Sequence, residues 1–190
     1  TLSGVRITDF ESLQLAISTL HSKFSIPHVL ITSIQLNYTE QTHLSIAGST
    51  MTSSRAPRIF TIKVPRIDNF FSGTGDMFAA LILVRLKEMV SNLPELACLP
   101  HWSSEDFVQS VDLPLAKATE SVLGGIHEVL SVSKRSYDKD MEAYRKSVAE
   151  TNLQAHDELK LAKVKAAEVR IVRNIPCLKN PKVKFKAVKL

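Results

Sequence analysis

The stretch Gly73-Thr74-Gly75-Asp76 constrains this chain more than any other. It lies between an aromatic-rich segment, Asp68-Asn69-Phe70-Phe71, and the apolar run Met77-Phe78-Ala79-Ala80-Leu81-Ile82-Leu83-Val84. Two glycines let the backbone approach a ligand closely, and a helix starting there aims unpaired N–H groups at an anion. An aspartate at the same helix mouth ill suits a simple phosphate cradle, because two anions repel. It suits a carboxylate that must meet a hydroxyl about to attack a phosphate. The pattern points to kinase chemistry.

The remaining periodicity predicts an α/β chain. Thr8-Asp9-Phe10-Glu11 opens a helix through His21, with Thr8 as cap and Leu13, Ala16, Ile17 and Leu20 on one face. His28-Val29-Leu30-Ile31-Thr32-Ser33 is apolar on both pleat faces, as in a central parallel strand covered on both sides. Thr39–Ile46 and Arg58–Val64 alternate as an antiparallel excursion, with Gly48–Pro57 as the loop between them. A helix follows Gly75 to about Val90, then a Pro-bearing loop over Leu93–Ser103 in which Trp102 is an anchor. Ser103 or Ser104 is placed to cap a helix from Glu105. Pro114 suits the first turn of another, running to about Val132, in which Gly124-Gly125 mark weakness or close packing. Ser136–Ala167 has the pattern of one long charged helix, and residues 168–173 and 182–188 alternate like edge strands.

Composition narrows the function classes. The hydrophobic share of 44% and charged share of 23% are those of a globular protein, and no apolar run reaches the ~20 residues of a membrane helix. With no export signal, and only Cys98 and Cys177 for disulfides, a cytoplasmic location is the expectation. Ten Lys/Arg against Glu168 give residues 160–190 a net charge of +9, while residues 1–159 carry −4. Without interleaved aromatics, that basic end reads as a solvated surface rather than a nucleic-acid or membrane site. The six histidines have no metal-ligand spacing with cysteine or acid clusters, and Ser121 has no nucleophile elbow. The opening at Thr1 reads as the tail of a loop, and a doubly covered strand needs neighbours on both edges; the chain is expected to be the second half of a larger domain.

The segment from Asp68 to Ala80 closely resembles the C-terminal signature of the pyridoxal kinases, within the ribokinase-like superfamily. Four residues separate Asp68 from Gly73, which resembles the spacing of that family rather than of the sugar kinases. Leu2–Ile7, Ile31–Leu36 and the closing alternating segments resemble further family blocks. The resemblance covers about residues 1–132 and 168–190, leaving a helical insertion over 134–167. It implies a partial three-layer ribokinase-like fold, a central sheet flanked by helices, with residues 1–190 forming its C-terminal part and the N-terminal half absent.

The roles it implies follow the matched positions. Asp76 would be the base that takes the proton from the 5′-hydroxymethyl group of pyridoxal, pyridoxine or pyridoxamine. Gly73, Thr74 and Gly75 would form the anion hole for the transferred γ-phosphoryl group. Thr32 and Ser33 would touch ATP phosphates, Thr32 also a monovalent cation such as K+, and Ile67, Asp68 and Asn69 would line the adenine pocket. ATP and Mg2+, or Zn2+ in its place, would be the cofactors, and the complete protein would be a homodimer. Ser72 departs from the family, which has an apolar residue there. No segment matches the family's ring-binding half, and no metal ligands are identifiable, so the isolated chain would be weakly active. The alternatives are another ribokinase-like kinase, acting on hydroxymethylpyrimidine or a sugar, or a non-catalytic fragment serving as a binding module.

Overall fold

A computed structural model describes residues 2–34, 42–151 and 156–190. Helix α1, Phe10–Phe24, is capped by Asp9 rather than Thr8: the Asp9 carboxylate accepts the Ser12 N–H at 2.7 Å, and Ser12 Oγ accepts the Asp9 N–H at 3.0 Å. A serine thus completes the box one residue beyond the expected glutamate. Leu13, Ala16 and Ile17 are buried as their spacing requires, and His21 joins them. Its Nδ1–H donates to the Ile26 carbonyl at 2.7 Å and its Nε2 lies 2.9 Å from Ser49 Oγ.

Strands β1 (His28–Ile34), β2 (His43–Met51), β3 (Pro57–Pro65) and β4 (Val188–Lys189) pair in that order, and every pairing is antiparallel. The expectation of a parallel β1 is therefore corrected. Its two apolar faces have another cause: α1 covers one side of the sheet, and helices α2 (Thr74–Ser91) and α4 (Pro114–Thr151) cover the other. On the α1 side Leu13 and Ile17 pack with Val29, Ile34, Ala47 and Ile59. On the other, Ile46, Phe60, Ile62 and Val64 pack with Leu86 and Val90 of α2 and Leu115 and Leu123 of α4. The result is three layers with an antiparallel sheet in the middle.

β2 continues to Met51 through Gly48, which the sequence suggested as the start of a loop. A Cβ at Gly48 would lie 2.2 Å from Phe60 Cζ, so here the glycine makes room for a fully buried ring. Residues 35–41, and with them the expected strand's first part, lie outside the described residues.

After α2 come a short helix α3 (Pro94–Ala97) and a 3-10 turn at Pro100–Trp102, with Trp102 packed on the core as the expected anchor. No helix starts at Glu105. The Arg58 guanidinium takes the carbonyls such a helix would use, those of Ser104 (2.9 Å), Glu105 (2.6 Å) and Val108 (3.2 Å). Asp106 caps the Ser53 N–H at 2.8 Å instead.

Helix α4 runs unbroken across the expected boundary near Val132, since Gly124-Gly125 serve close packing rather than a break. The expected charged helix is represented by the far end of α4 and by α5 (His156–Ala166). The chain then returns to α4: Arg170 pairs with Asp140, and its N–H donates to Ser133 Oγ at 3.2 Å. The alternating residues 168–173 form no strand, because this return packs them on a helix rather than a sheet edge. A 3-10 turn (Val172–Asn174) and helix α6 (Ile175–Lys179) follow. Of the expected strand over 182–188, only Val188 pairs, as part of β4; the Ala187 N–H donates to buried Glu120 at 2.9 Å instead of to β3.

Candidate functional site

The turn into α2 places its backbone as the glycines require. Gly73 adopts φ 77°, ψ 6°, the left-handed region that glycine enters at little cost, and no side chain caps the helix start. Its carbonyl accepts the Met77 N–H at 3.0 Å, while the first-turn N–H groups stay directed out of the helix. Thr74 and Gly75 border a cleft of about 600 Å³.

The sheet and the α2–α4 layer converge on this cleft. β1 supplies Thr32 and Ser33, β2 and β3 an apolar floor of Leu44, Ile46 and Val64, and α4 a wall of Leu123, Ile126, His127 and Leu130. At Thr32-Ser33 the ladder slips: Ile31 pairs with Ala47 but Ile34 pairs with Ser45. Ser33 sits there at φ 59°, an uncommon conformation for serine that turns both residues out of the regular ladder. The loop leaving β3 contributes Arg66, Ile67, Asp68, Asn69, Phe70 and Phe71. Phe71, 5% exposed, pins this loop to the body, whereas Phe70 is 81% exposed at the cleft mouth. Asn69 Oδ1 accepts the Phe70 N–H at 3.0 Å, and its Nδ2 is buried without a hydrogen-bond partner. A buried donor left free beside an apolar slot fits a heteroaromatic ring that offers an acceptor.

Of the residues singled out in the sequence, Thr32, Ser33, Ile67, Asp68, Asn69, Thr74 and Gly75 meet around this one cleft. Gly73 stands just outside its lining, at the cap. Asp76 is not part of the lining either. Its side chain is exposed at the head of a helical stripe continued by exposed Ala79, Ala80 and Leu83. Ser72, the departure from the family pattern, is exposed.

The sequence reading missed His127 and the α4 wall. The signal was present, since Leu123, Ile126, His127 and Leu130 share one helical face. His127 meets Phe185 edge-on with centroids 5.1 Å apart. Burial pushes its titration below the usual histidine range, Lys184 adds to this, and Glu128 opposes it. Among the described residues no cluster of three or more His, Cys, Asp or Glu side chains is arranged to hold a metal ion. No described helix is long and apolar enough to cross a membrane.

The layers and the cleft define an α/β fold with a four-stranded antiparallel sheet flanked by helices. No family model matches the chain. A Schizosaccharomyces pombe protein named "Putative pyridoxal kinase" is 29% identical over 150 residues, covering 78% of this chain and 44% of that protein. A Saccharomyces cerevisiae protein so named is 32% identical over 91 residues, covering 48% and 28%. The whole chain superposes on 47% of the Leishmania donovani pyridoxal kinase solved with ADP and ginkgotoxin (TM-score 0.63, 17% identity). It also superposes on 45% of the Plasmodium falciparum enzyme solved with AMP-PNP and PL (TM-score 0.63, 15% identity). The chain is similar to these pyridoxal kinases in sequence and fold, and it spans less than half the length of the curated relatives it matches.

Proposed function

We propose that this chain is the nucleotide-binding, C-terminal part of a pyridoxal kinase, in which ATP donates its γ-phosphoryl group to the 5′-hydroxyl of pyridoxal, pyridoxine or pyridoxamine. The observation that carries the reading is the left-handed Gly73 turn, which opens uncapped α2 N–H groups beside an apolar cleft. In this reading the base lies in the slot between β3 and α4, where Ile67, Asp68 and Asn69 line it and Asn69 Nδ2 donates to a ring nitrogen. Thr32 and Ser33 contact the phosphates. The N–H groups of the Gly73–Gly75 turn and the helix dipole stabilise charge on the γ-phosphoryl oxygens.

Asp76 acts from the other side of that turn. It accepts the proton of the attacking hydroxyl as the oxygen–phosphorus bond forms and the bond to ADP breaks. Its exposure at the head of the Ala79, Ala80, Leu83 stripe supports an alcohol delivered by polypeptide packed on that face. This agrees with a chain that spans less than half of its relatives. Residues 1–190 are then the C-terminal part of one ribokinase-like domain, with 134–167 as a helical addition. Mg2+, or Zn2+ in its place, would neutralise the phosphates when bound. A monovalent cation such as K+ would sit near Thr32. The complete protein would act in the cytoplasm as a homodimer.

Titration calorimetry of the chain with ADP tests the nucleotide site, and saturable binding is expected. In the complete protein, Asp76→Asn should lower kcat for pyridoxal phosphate formation by about 10²- to 10⁴-fold with little change in the KM for ATP. Near-normal turnover would remove Asp76 from the base role. A substrate panel separates pyridoxal from hydroxymethylpyrimidine and sugars. Failure to bind ADP would favour a non-catalytic fragment.

A further inference from the structure

The chain from α6 to Ala187 forms a strap across α4. Its fit is close: a Cβ on Gly124 would stand 2.2 Å from the Lys182 carbonyl oxygen, and one on Gly125 would stand 3.1 Å from that of Cys177. Two anchors hold the strap. Near its end, buried Glu120 of α4 accepts the Ala187 N–H at 2.9 Å and the Lys186 ammonium at 3.1 Å. Near its start, Arg85 reaches across from α2 and donates to the Leu178 and Lys179 carbonyls at 2.5 and 2.7 Å. Glu88 holds the same guanidinium at 2.6 Å, and the Arg85 side chain is only 15% exposed. These carbonyls end α6, where a helix leaves acceptors unsatisfied and the dipole favours a cation.

The turn of α4 under the strap is also a wall of the cleft. Gly124 and Gly125 meet the strap while Leu123, Ile126 and His127 line the cleft, and the His127 ring touches both the cleft and Phe185 of the strap. α2 supplies the other side through Thr74, Gly75 and Phe78. Arg85 therefore ties the helix on one side of the cleft to the strap that presses on the helix of the other.

We propose that Arg85 is a positioning residue for the cleft: by anchoring the strap it fixes how the α4 wall stands against the glycine turn of α2. It is not among the residues that line the cleft and acts through the strap. The nucleotide part of its test rests on the proposed function; the other parts do not.

Three variants test it. Arg85→Met keeps the aliphatic stem and removes the donors; Arg85→Lys restores one charged donor. Gly124→Ala acts independently, pushing a methyl group toward the Lys182 carbonyl while improving local helix propensity. Hydrogen exchange across residues 175–187 should accelerate in Arg85→Met and Gly124→Ala. In both, the His127 titration followed by NMR should move up toward the ordinary histidine range, as Phe185 and Lys184 draw away from the ring. ADP affinity should fall about tenfold in Arg85→Met, which corresponds to ~1.4 kcal/mol, with partial recovery in Arg85→Lys. Unchanged strap exchange in Arg85→Met would overturn the anchoring. Faster exchange with His127 titration and ADP affinity at wild-type values would reduce the strap to a structural role and overturn the positioning. Should the wild-type chain bind no ADP, the nucleotide reading fails while exchange and the His127 titration still decide the strap.

Discussion

Gly73 holds a conformation that costs an L-amino acid about 1–2 kcal/mol, yet a Cβ there meets nothing within 4 Å. Backbone strain alone is therefore the penalty for substitution. Gly73→Ala should destabilise the chain by about 1 kcal/mol in urea titration and weaken ADP binding, because relaxation of φ re-aims the first N–H groups of α2. An unchanged affinity would detach the turn from the nucleotide site. His28 links stability to pH. Its Nε2–H donates to the His101 carbonyl at 2.8 Å, and its Nδ1 lies 2.9 Å from Thr50 Oγ1. Burial pushes its titration down, aided by the nearby charges of His21 and Arg58, while the His101 hydrogen bond opposes the shift. Between that lowered value and the ordinary ~6.5, the unfolded chain binds more protons than the folded one. Stability must then rise with pH across that window and fall as acid is added below ~6.5. His28→Gln should flatten this slope in urea midpoints measured from pH 7 to pH 5. Equal slopes in the two proteins would sink the assignment. The glycine turn was legible in the sequence because backbone geometry demands it; residues 67–69, named from the family resemblance, do border the cleft, whereas Asp76 stands outside its lining. His127 was not legible, because its role depends on which residues α4 faces across the sheet.

At the scale of elements, β2 and α4 show where sequence periodicity misleads. Gly48 read as punctuation, yet its partner ring is supplied by Phe60, directly opposite in the β2–β3 ladder. Gly48→Ala should cost about 1–3 kcal/mol through overpacking against a fully buried phenyl group. Thermal unfolding of Gly48→Ala, Phe60→Leu and the double variant gives the coupling; a strictly additive pair would rule out the contact as the cause. Two-sided hydrophobicity correctly announced a sandwiched β1 but not its direction, since helices on both faces impose the same pattern on parallel and antiparallel strands. The helix expected from Glu105 failed for a long-range reason, because Arg58 claims the necessary carbonyls from 46 to 50 residues away. The alternating residues 168–173 failed likewise, as α4 rather than a sheet edge receives them. Local signals placed the starts of α2 and α4 and, one residue off, the cap of α1; the partner surface decided the rest.

At the scale of the molecule, the helix carrying the glycine turn leaves Leu83 62% and Val84 53% exposed, next to exposed Ala79 and Ala80. A contiguous apolar stripe of this kind promotes association when nothing covers it. Sedimentation velocity on the isolated chain should show concentration-dependent self-association, and Leu83→Asp should suppress it without lowering the thermal midpoint. A chain monomeric at all concentrations would contradict this. The uninterrupted course of α4 carries a mechanical consequence as well. Its 38 residues make a rod about 57 Å long, rooted in the core at Pro114 and charged toward its distal end. Torque applied far out on that shaft has no hinge in which to dissipate before it reaches Leu123 and His127, so a grip on the tip would be felt as leverage at the root.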